Sequence, residues 1–152
     1  MNKKICVIVG AGRGLGKALA QKFAGEDYHL SLVSRSLEGS REALKASYSA
    51  FPEGDHRHVT ADATKPEELE KIVAEKIASH GTPEILIYNP RGGYQLRDPL
   101  KISYAEIDDT LKLEIVGALA SAKAVIPRML DNKKGTIIFS SATAAFRGSG
   151  TN

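Results

Sequence analysis

The chain has one cysteine, Cys6, so no disulfide can form within it. Cys6 sits inside an apolar run, where a small core residue is expected rather than a reactive thiol. A chain without disulfides suits a reducing cytoplasm, and that is the expected compartment. Tryptophan is absent, aromatic residues make up 6 % of the sequence, and lysine and arginine are interleaved with acids rather than gathered in blocks. The signals that mark a nucleic-acid surface are therefore missing. No apolar stretch approaches the ~20 residues that cross a bilayer. Met1-Asn2-Lys3-Lys4 runs directly into a strand, so neither a membrane span nor a secretory leader is expected. Repeats and low-complexity tracts are also lacking.

What remains is an ordinary globular composition. With 152 residues, 42 % apolar and 26 % charged, the sequence predicts one domain, residues 1–152, with a substantial core. The net charge of +3 is a mild positive bias that suits a polyanionic ligand.

The most informative stretch is Gly10-Ala11-Gly12-Arg13-Gly14-Leu15-Gly16. It follows Ile5-Cys6-Val7-Ile8-Val9, which reads as a strand buried on both faces, and precedes Lys17–Ala24, which reads as a helix. A glycine-rich turn between a strand and a helix N-terminus is an anion site. Free amides and the positive end of the helix dipole converge there, and glycine lets a phosphate approach the backbone. The P-loop pattern fails, because Ala11 stands where its first glycine belongs and Ala18 follows Gly16-Lys17. The G-x-G-x-x-G fingerprint fails because its third glycine falls on Leu15. Gly10, Gly14 and Gly16 make G-x-x-x-G-x-G instead. On that spacing the chain resembles the short-chain dehydrogenase/reductase family.

Strand and helix then alternate without a linker. Strands are expected at His29–Val33, His56–Thr60, Glu84–Tyr88 and Thr136–Ser140. Helices are expected from Leu37 to Ala50, from a Thr64–Glu67 capping box to His80, and from a Ser103–Glu106 capping box in one long run to about Leu130, bent near Pro127. The fold class is α/β, a doubly wound parallel sheet or Rossmann fold, of about five strands in the order 3-2-1-4-5. Ligands belong at the carboxyl ends of the strands, around the switch between strands one and four. The loops there are Gly10–Gly16, Ser34–Ser36, Asp62–Ala63, Asn89–Gly93 and Ser140–Thr143.

The resemblance assigns roles in those loops. Gly10, Arg13, Gly14, Leu15 and Gly16 would wrap the cofactor's phosphates. Ser34 and Arg35 follow the second strand, where an acid would hydrogen-bond the ribose of NAD. A guanidinium there suits a 2′-phosphate, and Arg13 would approach the same group. Either arginine alone reads as a solvated surface charge; the two together favour NADP(H) over NAD(H). Asp62 would accept a hydrogen bond from the adenine amino group, with Ala63 supplying the adjacent amide, unless Asp62 only caps its turn. Asn89 matches the second asparagine of an N-N-A-G motif and would tie neighbouring strands together near the cofactor. Pro90 and Arg91 replace that motif's small residues, so that Arg91 would either clash with the dinucleotide or clamp a phosphate.

The departures continue toward the chemistry. Glu114-Ile115-Val116-Gly117 stands where the family has N-x-x-G, and the catalytic serine column falls on Ala142 unless a one-residue shift restores Ser141. No tyrosine begins a Tyr-x-x-x-Lys, the pair that carries the family's proton transfer. The resemblance thus spans all 152 residues but only the first half or so of a family member. It implies an NADP-dependent oxidoreductase acting on a small carbonyl or alcohol substrate. For these 152 residues alone, no activity is expected. The rival readings are a nucleotide-binding pseudoenzyme, an interaction protein, or an inactive product of a truncated reading frame. His56 and His58 alternate on one expected strand without a third ligand, so no metal site is expected. Without a sixth strand and a following helix, the fifth strand and Leu111, Ile115 and Val125 would be partly uncovered, and a homodimer through that helix is expected.

Overall fold

The computed structural model describes residues 3–92 and 98–147. Gly93 and Tyr94, which the sequence places in the loop after the fourth strand, lie outside them. Strand β1 (Ile5–Val9) is followed by α1 (Leu15–Ala24), β2 (His29–Ser34), α2 (Leu37–Ala50), β3 (Arg57–Thr60), α3 (Pro66–His80) and β4 (Pro83–Tyr88). Then come α4 (Tyr104–Leu111), a π-turn over Lys112–Val116, α5 (Gly117–Asp131) and β5 (Thr136–Phe139). The five strands form one sheet in the order β3-β2-β1-β4-β5, every neighbouring pair parallel, as the alternation predicted.

Successive residues of a strand point to opposite faces, and β1 shows the consequence. Cys6 and Ile8 pack with Leu30, Leu32, Ile87 and the small residues Ala20, Ala24 and Ala43 of α1 and α2. Val7 and Val9 pack on the other face with Leu69, Val73 and Ile77 of α3 and with Ala120, Ala124 and Val125 of α5. All five residues of β1 are buried, which explains its unbroken apolar run. Burial also pushes the Cys6 thiol pKa up, which keeps it protonated and inert.

Four local expectations change. The long helix is not continuous: the π-turn Lys112–Val116 divides it. The buried Tyr88 hydroxyl donates to the carbonyl of Leu113 inside that turn, which gives the backbone oxygen a partner other than the helical ladder. Thr64 does not cap α3. The N-cap is Lys65, and the Thr64 hydroxyl donates instead to Asp62 Oδ1 at 2.8 Å. β3 begins at Arg57, so His56 precedes the strand, and its ring bonds the Phe51 carbonyl at 3.0 Å. Val125 is fully buried rather than uncovered, although Leu111, Ile115 and Phe139 are about half exposed or more (49 %, 62 % and 52 %). The capping box at Ser103 is present in full, with the Ser103 hydroxyl accepting from Glu106 N and the Glu106 carboxylate accepting from Ser103 N. Among the described residues no helix is long and apolar enough to cross a membrane.

Candidate cofactor site

Parallel strands put all their carboxyl ends on one edge, and the chain must turn away from each of them toward a helix. Gly10 makes the first of these turns. Its φ of +82° lies in the left-handed region, and a Cβ there would stand 2.5 Å from Pro90 N. Gly16, in the first turn of α1, has no room for a side chain either: a Cβ would lie 2.7 Å from the Gly10 carbonyl oxygen. The turn thus closes on itself through two glycines. At Gly12 and Gly14, by contrast, a Cβ would meet nothing within 4 Å, so this stretch of backbone faces open space. The amides of Leu15 and Gly16 precede the first bonded turn of α1, where Lys17 N reaches the Gly14 carbonyl at 3.1 Å, and the helix dipole lies behind them. An anionic group fits this turn.

A cavity of about 440 Å³ opens beside it. Gly10, Gly12, Ser34, Arg35, Asp62, Ala63, Asn89, Pro90 and Arg91 are among the residues that line it. Six of the sequence-derived residues (Gly10, Ser34, Arg35, Asp62, Ala63 and Asn89) therefore meet around one cleft although they come from four strand ends. Arg13 and Gly14 are exposed in the glycine turn but do not line this cleft, and Gly16 is buried behind it. The Asn89 side-chain amide donates to the Gly10 carbonyl at 3.2 Å, fastening the end of β4 to the end of β1.

The polar side chains of the cleft are held in different ways. Asp62 Oδ1 accepts from the Thr64 amide at 2.9 Å and from its hydroxyl. The Thr64 amide, above all, holds the Asp62 carboxyl below the usual carboxylate range. Asp62 thus caps its turn and lines the cleft at once. Ser34 is tied from three sides: its hydroxyl donates to the Ser36 carbonyl at 2.7 Å, and Ser40 Oγ and His58 Nε2 lie 2.8 and 3.0 Å away. Arg35, next to it, projects exposed at the rim. The sequence reading missed Ser40 and His58. Ser40 looks like an ordinary polar residue of an amphipathic helix, and only the fold shows it to be fully buried against the glycine turn, with its hydroxyl 2.8 Å from the Ala11 carbonyl.

A second, larger cleft of about 910 Å³ adjoins the first. It runs between α5 and β5, and its lining includes Leu15, Glu114, Leu119, Phe139, Ser141 and Ala142. Ser141 and Ala142 are both exposed in it, and Asn89, Pro90 and Arg91 form the wall the two clefts share. Tyr88 also reaches this cleft, but its hydroxyl is committed to Leu113, and burial, aided by the Glu114 charge, raises its pKa. It is a structural tyrosine rather than a proton donor.

A family description for short chain dehydrogenase matches residues 4–152. Glucose 1-dehydrogenase of Gluconobacter oxydans is 30 % identical over 142 residues, an alignment that covers 92 % of this chain and 52 % of that enzyme. The chain therefore spans about half the length of that relative. Among solved structures, a short-chain dehydrogenase/reductase from Burkholderia xenovorans superposes with a TM-score of 0.86 at 28 % identity, covering 98 % of this chain and 60 % of the other. Two more share the fold: a metagenomic short-chain oxidoreductase solved with NADP (TM-score 0.87, 23 % identity, 97 % of this chain and 66 % of that one) and an NADH-dependent reductase solved with NAD (0.86, 24 %, 98 % and 63 %).

Proposed function

The chain belongs to the short-chain dehydrogenase family, and on that premise we propose that it supplies the cofactor-holding part of an NADP(H)-dependent oxidoreductase for a small carbonyl or alcohol. The observation that carries the choice of NADP is the end of β2. Ser34 and Arg35 stand there in place of an acid, at the rim of the 440 Å³ cleft. A carboxylate at that point would repel a 2′-phosphate, whereas a guanidinium pairs with it through charge and forked hydrogen bonds. The NADP-bound neighbour is in keeping with this reading, and the NAD-bound neighbour shows that the fold alone does not decide it.

In this reading the open backbone at Gly12–Gly14 and the amide end of α1, at Leu15 and Gly16, hold the pyrophosphate. Arg35 faces the 2′-phosphate from the rim of the cleft, and Arg13, exposed in the glycine turn outside it, would have to reach across to the same group. Asp62 and the Ala63 amide read the adenine edge, and Asn89 keeps the Gly10 turn in place. A bound nicotinamide would supply hydride to a carbonyl carbon when reduced, or accept it from an alcohol carbon when oxidised. The adjoining cleft takes the substrate, with the Ser141 hydroxyl positioned to donate to its oxygen. Glu114, in place of an amide, and Ala142, beside Ser141, favour a second reading in which these residues bind nucleotide without turning substrate over.

Titration of Arg35→Ala with NADPH and NADH separates the possibilities. Losing one charge-assisted contact should weaken NADPH binding roughly ten- to a hundredfold and leave NADH nearly unchanged. An equal loss for both cofactors would remove Arg35 from the 2′-phosphate site.

A further inference from the structure

Behind Arg35 lies a line of hydrogen bonds with a titratable group at its end. Ser34 Oγ gives its only proton to the Ser36 carbonyl at 2.7 Å, so His58 Nε2, 3.0 Å from the same oxygen, must be the donor of that pair. Ser40 Oγ stands 2.8 Å from both Ser34 Oγ and the Ala11 carbonyl and, with one proton to give, bonds one of them at a time, between this line and the glycine turn. Four segments meet here: β3 through His58, β2 through Ser34, α2 through Ser40 and the glycine turn through Ala11. His58 is partly buried and does not line the cleft, but it is one hydroxyl away from residues that do.

The Nε2–H that bonds Ser34 is present in both the neutral and the charged ring, so protonation at Nδ1 leaves the line of bonds intact. Burial lowers the His58 pKa, and the Ser36 carbonyl acts against that. Charged residues stand on the surrounding segments: Arg35 after β2, Glu38 and Arg41 on α2, and Asp62 after β3. None of them shifts His58. A phosphate at Arg35 would add a negative charge to those of Glu38 and Asp62.

We infer that His58 is a positioning residue for cofactor choice, holding Ser34 and Ser36 for the 2′-phosphate and adding a proton-dependent positive charge behind it. The inference rests on the proposed NADP reading of the cleft. By linkage, a 2′-phosphate must raise the His58 titration midpoint, and protonated His58 must tighten the binding of that phosphate by the same factor. One charge at this remove, under an effective dielectric near 20, is worth roughly three- to tenfold in affinity.

The test uses the native chain with adenosine 5′-monophosphate and adenosine 2′,5′-bisphosphate, which differ only in the 2′-phosphate. Affinities come from calorimetry across pH, and the His58 midpoint comes from imidazole resonances assigned with His58→Gln. The expected result is tighter binding of the bisphosphate, a His58 midpoint raised by the bisphosphate alone, and a gain in discrimination at lower pH that His58→Gln loses. The second ionisation of the phosphate itself is common to native chain and variant, so it cancels in that comparison. If the bisphosphate binds more tightly but His58 titrates alike in both complexes, the role of His58 is overturned and the NADP reading stands. If the two nucleotides bind equally, the NADP reading falls, and the role of His58 falls with it.

Discussion

Gly117→Ala is a small change with a calculable effect. Gly117 opens α5 where the helix crosses the ends of β3 and β4, and a Cβ there would stand 2.4 Å from the Ala63 carbonyl oxygen and 2.4 Å from the Tyr88 hydroxyl. Neither neighbour gives way freely, since one is backbone and the other is hydrogen-bonded to Leu113. Overpacking of this kind costs about 1–3 kcal/mol. If the Tyr88 hydroxyl is pushed off Leu113, a buried group left unpaired costs about 1–3 kcal/mol more. Alanine returns about 1 kcal/mol through helix propensity. With Tyr88 displaced the net is a loss of about 1–5 kcal/mol, and with its bond kept about 0–2 kcal/mol, at roughly 2–4 °C in melting temperature for each kcal/mol in a chain of this size. Urea and thermal unfolding followed by far-UV circular dichroism measure it. Tyr88→Phe combined with Gly117→Ala removes one of the two clashes, so the pair should be less destabilising than the sum of the single changes. A Gly117→Ala chain that melts at or above the parent temperature would refute the packing argument.

Other consequences can be checked in the same preparations. Burial lowers the pKa of His29, His56, His58 and His80 from the ordinary 6.5, so the unfolded chain binds protons more readily than the folded one. Stability should therefore be flat above that value and fall as pH drops through it, with a further fall below 3.8 as Asp55 and Asp62, both lowered, lose their charge; urea midpoints that do not change between neutral and acid pH would contradict this. A preparation of these 152 residues should bind nucleotide yet lack turnover, since a missing general acid alone removes roughly 10²–10⁴-fold of rate; robust cofactor-dependent reduction of any aldehyde or ketone would show otherwise. The half-exposed Leu111, Ile115, Leu119 and Phe139 should drive pairing of two copies, read by sedimentation at micromolar concentration, where a single species of monomer mass is the opposing result.

The sheet was legible because its signals are local and repeated. Each strand is a short apolar run closed by a turn, and five such runs separated by helices admit few topologies. The cleft was legible for the same reason, since the strand-end rule points to five loops before any contact is known. The π-turn was not, because Leu111, Ile115 and Val125 continue a helical apolar spacing straight through it. What breaks the ladder is the Tyr88 hydroxyl, from a residue 25 positions away in the chain. Thr64 misled for a related reason: a hydroxyl at an N-cap position is free to bond a nearer carboxylate, and Asp62 sits two residues before it. His58 reads in sequence as one of two histidines alternating on a strand, and only the pairing of β2 with β3 brings it to Ser34.

The opposite edge of the sheet, at the strands' amino ends, holds a different set of bonds. There the buried His80 ring links Ser31, at 2.7 Å, to the Asp55 carbonyl, at 2.9 Å, while the Asp55 carboxylate takes Arg57 and Lys3. These ties fasten β2, the approach to β3 and the end of α3 without using any residue that lines the 440 Å³ cleft. Clamp and mouth sit at opposite poles of the sheet. Changes at Arg35, Asp62 or Arg91 can retune what the mouth accepts while the clamp keeps the strands in register, so drift in ligand preference need not pass through unfolded intermediates.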